Sequence, residues 1–178
     1  MHYIKKIISF IDRFNNRIGI IFSVLVFPMV FILFYEVIMR YAFNRPTIWA
    51  HELSAMLYAV FFLIGGVYTL RWDGHVRVDI FYNKLSRKAQ YTLDLFTWIL
   101  FYIFIIIMFW EGSSFAYTSI IRNEISNSAW APYIWPVKIF IPLAAFLMLL
   151  QGITITIKKV YFLFTNKEFV EVAEGEKK

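Results

Sequence analysis

Few side chains in this sequence could do chemistry. The only histidines are His2, His51 and His75, and there is no cysteine. Without cysteine there is no disulfide framework, thiolate nucleophile, Fe–S cluster or Cys zinc site. His75 and Asp79 stand four positions apart and fit one helical face. One His and one Asp are too few ligands for a metal. The pair reads first as local capping, with the carboxylate near a helix start where negative charge is favoured. Contact with a partner or a lipid headgroup comes second. No HExxH, GxSxG, P-loop or Gly-rich dinucleotide pattern occurs. The other candidates are carboxylates. Glu36 precedes Arg40 by four positions, the favourable order for a helical ion pair. Glu52 follows after a short turn. These three are expected to cluster at a membrane edge. A structural ion pair that closes a helical hairpin ranks first, a partner contact second and ion transport last, against the plain alternative of snorkelling side chains. Asp94 and Glu111 fall at opposite ends of one span, so they form no central carboxylate relay.

The elements that hold these residues follow from composition. Of 178 residues, 60% are hydrophobic, 21% aromatic and 17% charged. A soluble domain of this length could not hide so much apolar surface, and disorder is excluded for the same reason. A membrane helix needs about 20 mainly apolar residues. Four stretches qualify, at about 18–39, 53–70, 93–115 and 137–157, and the expected fold is an all-α membrane protein with four transmembrane helices. Residues 1–165 are read as one four-helix domain, and 166–178 as a charged, flexible cytoplasmic tail. Pro28 should kink the first span or loosen one of its turns. Gly65-Gly66 should permit close helix packing.

Charge placement orients the chain. Of the 18 Lys and Arg, four precede the first span, two lie in the first loop, five in the second, two in the third and five in the tail. The excess falls on the side of both termini, so the positive-inside rule gives an N-in, C-in topology. His51 and His75 then lie on opposite sides of the membrane, which argues against a haem site. The net charge of +6 is accounted for by orientation, with no nucleic-acid partner expected. Two amphipathic surface helices are expected on the cytoplasmic side, at about 3–16 and 76–90. In the first, Ile4, Ile7, Ile8, Ile11 and Phe14 would face lipid, with Lys5, Lys6, Asp12 and Arg13 mostly on the other face. The third loop is rich in Trp and Pro, and the helix before it must either protrude or break near Gly112. No helix shows the polar stripe of a pore, and neither midplane breaks nor internal repeats mark a self-sufficient carrier.

Three motifs, in order, resemble the small membrane subunit of TRAP transporters, the tripartite ATP-independent periplasmic carriers. Arg40-Tyr-Ala-Phe-Asn-Arg-Pro-Thr-Ile-Trp-Ala-His-Glu52 is similar to the family's helix 1–2 junction. Gly74-His-Val-Arg-Val-Asp79 is similar to its cytoplasmic-loop signature. Ser128-Ala-Trp-Ala-Pro-Tyr-Ile-Trp-Pro136, with Leu149-Leu-Gln-Gly152, is similar to its helix 4 entry and interior. The chain departs at His51, where an acidic residue is common, and at Lys138, where many relatives have Gly. The resemblance implies a non-enzymatic, cofactor-free subunit of the cytoplasmic (inner) membrane. It would brace the scaffold of a large elevator-type membrane subunit, surrounded by membrane lipids. A periplasmic substrate-binding protein would deliver an organic acid, and sodium coupling is expected. The resemblance places the hairpin and partner interface at Arg40, Asn44, Trp49 and Glu52, and the loop motif at Gly74, His75 and Asp79. The docking surface is expected at Arg45, Arg122, Glu124, Trp130 and Trp135. The competing reading is a membrane anchor for a respiratory oxidoreductase, followed by a small homo-oligomeric channel.

Overall fold

A computed structural model describes residues 2–71 and 87–165, and all its regular elements are helices. They are α1 (His2–Ser23), α2 (Val26–Tyr41), α3 (Ala50–Arg71), α4 (Arg87–Ile121), the single turn α5 (Trp135–Lys138) and α6 (Phe140–Thr165). Four helical stretches are long and apolar enough to cross a membrane, with α1 and α2 together making the first. The expected second surface helix, the Gly74/His75/Asp79 motif and the tail lie outside the described residues.

The first span is two helices, and the turn just before Pro28 is the one that gives way. Val24 and Leu25 break it, four and three positions before Pro28. Proline has no N–H to give to the carbonyl four residues back, and its ring crowds that carbonyl. The chain tightens there instead: Leu25 N–H donates to Phe22 O (3.1 Å) and Phe27 N–H to Val24 O (3.1 Å). The N-terminal segment also departs from the expected surface helix. It is continuous to Ser23, and Asp12 and Asn15 are buried while Ile7, Phe10 and Phe14 are exposed. Asp12 therefore faces the bundle and not the solvent.

α4 does not break at Gly112. It runs unbroken for 35 residues, about 52 Å at 1.5 Å per residue, so it outruns the hydrocarbon. Gly112 serves contact instead, since a Cβ there would lie 2.8 Å from Ile141 Cγ2. Gly65 behaves in the opposite way. Among the described residues nothing lies within 4 Å of where its Cβ would be, so it opens onto a groove lined by Gly19, Phe22, Phe62 and Met148.

α3 packs on α1, α2 and α6, while α4 leans chiefly on α6. In packing order the upper bundle reads α2, α3, α6, α4, and no packed interface joins α2 to α4. Ile64, Val67, Ala144 and Leu147 form one core between α3 and α6. Leu70, Trp98 and Ile155 form another, nearer the end that carries both chain termini. Small residues let the helices approach, as lipid supplies no hydrophobic drive for association. Gly152 receives the rings of Trp98 and Phe101, each 3.0 Å from the position of a Cβ.

Candidate functional site

The chemistry-bearing residues collect at the two ends of the bundle. At the loop end, the α2–α3 hairpin is built around Glu36. Its Oε1 accepts from Nε (3.0 Å) and Nη2 of Arg40, and its Oε2 accepts from the backbone N–H (3.0 Å) and hydroxyl of Thr47. Thr47 Oγ1 in turn accepts from Ala50 N–H (3.3 Å), which satisfies an orphan donor where α3 begins. Asn44 turns the chain with φ 53°, a left-handed conformation that Asn tolerates better than most residues. Tyr35 and Trp49 stack across the turn with centroids 6.0 Å apart. The sequence-expected trio is thus divided. Glu36 and Arg40 meet, while Glu52 accepts a hydrogen bond from the Ser128 hydroxyl in the third loop.

That loop is folded, not slack. Ile125 and Tyr133 pair as an isolated antiparallel bridge, with Ile134 N–H to Glu124 O (3.0 Å) and Ser126 N–H to Pro132 O (2.9 Å). Ala131 is held at φ 49°, its N–H donating to Ser128 Oγ (3.1 Å). Lys138, the departure from the family pattern, is buried. Its ammonium donates to Glu124 Oε2 (2.5 Å) and sits 3.8 Å from the Phe115 ring centroid. The Lys138 hydrogen bond holds the Glu124 carboxyl below the usual carboxylate range. Arg45 and Arg122 are exposed, whereas Trp130 and Trp135 are half-buried.

At the terminal end is a set that sequence reasoning missed. Asp12 of α1 accepts from Gln151 Nε2 (2.8 Å) and from Lys158 Nζ (2.8 Å) of α6. Asn15 Nδ2 donates to Gln151 Oε1 (2.7 Å). One residue further on, Lys159 donates to Asp94 of α4 (2.5 Å), and its ammonium lies 5.6 Å from the Trp98 ring centroid. Asp12, Asn15, Asp94, Gln151, Thr154 and Lys159 are all buried. Consecutive lysines therefore pin α6 to two different helices. The available signal was spacing, because Gln151, Thr154 and Lys158 recur at helical intervals, as do Asp12 and Asn15.

These groups are spent on one another. Each carboxylate in the two clusters has a donor, and no set of three or more His, Cys, Asp and Glu among the described residues could hold a metal. The arrangement fixes helices and turns an ordered loop outward; it has no nucleophile beside a base.

Comparison with known proteins agrees. The family described as tripartite ATP-independent periplasmic transporters, DctQ component, matches residues 29–160. The sialic acid TRAP transporter small permease protein SiaQ of Vibrio cholerae is 30% identical over 81 residues. That match covers 46% of this chain and 47% of the relative, so the chain spans about half of that protein. The chain belongs to the DctQ component family of TRAP transporters: it is a multi-pass inner-membrane transporter subunit and not an enzyme.

Proposed function

With that family as premise, we propose that the chain is the static small subunit of a secondary-active carrier. It works beside a large membrane subunit and a periplasmic binding protein that delivers an organic acid. A dicarboxylate, 2-oxo acid or sugar acid suits this role, and the Vibrio cholerae relative is named for a sugar acid. The family match across residues 29–160, which takes in the hairpin and the third loop, carries the reading. The topology is N-in, C-in, with the third loop in the periplasm and basic residues near the termini at the anionic inner leaflet. Transport is sodium-coupled, and the large subunit moves cargo in an elevator fashion against the scaffold that this chain braces.

The chain's own residues support bracing over carrying. The carboxylates Asp12, Glu36, Asp94 and Glu124 at the two ends of the bundle are each paired with a cation of this chain, and a matched pair has little to offer a passing ion. Arg45 and Arg122 are exposed cations at the loop end, suited to steering an acidic surface of the binding protein. In the complete carrier, Arg45→Glu with Arg122→Glu is expected to slow uptake several-fold while the membrane complex stays assembled. Uptake at the wild-type rate would remove the docking role. Uptake that persists after deletion of the whole chain would remove the proposal itself.

A further inference from the structure

Six carboxylates lie among the described residues, and five of them have a partner in the chain. Asp12 pairs with Lys158, Glu36 with Arg40, Glu52 with Ser128, Asp94 with Lys159 and Glu124 with Lys138. Glu111 has neither a hydrogen bond nor an ion pair within the described residues, and its side chain is exposed. It is also the only charge between Asp94 and Arg122.

Its setting is apolar. Glu111 stands seventeen positions along α4 from Asp94, about 25 Å at 1.5 Å per residue, within the roughly 30 Å of hydrocarbon. Phe104, Ile107 and Met108 precede it, Phe115 follows it, and Ile141 of α6 lies alongside. With Gly112 these residues line an open groove of about 400 Å³. Beyond Glu111, exposed Phe115, Ile120 and Ile121 continue the apolar surface. The opposite edge of the bundle differs. α2 shows Phe27, Val30, Phe31 and Phe34 outward, and both of its charges are paired with each other. Lipid covers such a surface without any particular fit. A concave surface with an unmatched carboxylate near hydrocarbon calls for a shaped partner that brings a cation.

We propose that the α4 edge, centred on Glu111 and its groove, is where the large membrane subunit docks, through an apolar helix that places a Lys or Arg against the Glu111 carboxylate. This rests on the reading of the chain as the small subunit of a TRAP carrier. It moves the principal contact away from the α2–α3 hairpin, whose Glu36 and Arg40 are already paired with each other.

The test uses the assembled complex, with a photo-crosslinking benzophenone residue at Ile107 on the α4 edge or at Phe31 on the α2 edge. The expected result is a covalent adduct with the large subunit from Ile107 and none from Phe31. Glu111→Lys should lower the co-purified large subunit several-fold, and Glu111→Gln should lower it less. Adducts from Phe31 alone, or phospholipid adducts alone from Ile107, would overturn the edge assignment and leave the subunit reading standing. Co-purification unchanged in Glu111→Lys would remove the charge pairing. If the wild-type chain retains no large subunit at all, the subunit reading fails, and this inference with it.

Discussion

The two ends of the bundle solve the same problem with different materials. At the terminal end, Asp12, Asp94, Gln151 and Lys159 come from three helices and are buried against each other. At the loop end, Glu36 and Arg40 are one turn apart, and Glu124 and Lys138 close a single loop. Burial raises the stakes at the terminal end, where removing one partner strands the other in a low dielectric. At the loop end one member of each pair, Glu36 or Lys138, is buried, but Arg40 and Glu124 reach solvent, where water and salt take up part of a lost contact. The bundle is therefore fixed most firmly where its helices meet one another and is more tolerant where it presents the third loop.

This contrast can be broken or sharpened by substitution. Lys159→Met should have the largest effect, as it takes the buried Lys159 ammonium away from the buried Asp94 carboxylate. A loss of about 3–5 kcal/mol is expected, read from unfolding of the purified protein in detergent. The double variant Asp94→Leu with Lys159→Met should recover most of it, and no recovery would mean that packing, not pairing, sets the cost. Gln151→Leu should come next. It strips Asp12 of one donor and Asn15 of its acceptor, at about 1–3 kcal/mol, measured in the same way. A Gln151→Leu protein as stable as wild type would erase the difference between the ends.

Glu124→Gln should have the smallest effect, visible mainly as pH dependence. The Glu124 carboxyl is held below its ordinary value of 4.5, so the folded state binds this proton less readily than the unfolded chain does. Its contribution is thus fully present above about pH 4.5 and fades as pH falls through the lower, folded value. Melting curves of wild type and Glu124→Gln should differ at neutral pH and converge in acid. Curves that stay parallel to low pH would mean that the Lys138 contact depends on shape rather than charge.

The same contrast governs what could be read in advance. Glu36 with Arg40 was legible because the partners are four residues apart on one helix. The four spans were legible because length and apolarity suffice. Asp12 was misassigned because it sits in a segment whose apolar residues suit an interface, and its partners lie 139 and 146 positions away. Gln151 stood within an apolar run, and nothing local says which helix it will face. Glu52 was grouped with Glu36 and Arg40 across the short turn, whereas the folded third loop brought Ser128 to it. Gly65-Gly66 shows what composition can and cannot say: at Gly66 a neighbour does arrive, with Met148 Cε 2.6 Å from where a Cβ would lie, whereas at Gly65 none lies within 4 Å.

The packing order α2, α3, α6, α4 has a mechanical consequence. Four rods about 10 Å across make a plank about 40 Å wide when set side by side, and a block half that width when squared up. A plank sweeps more lipid when it turns or slides than a block of equal mass. If one edge is fastened to a machine with a travelling part, as proposed above, the plank would work as a keel, so that the stroke displaces the cargo and the casing holds still.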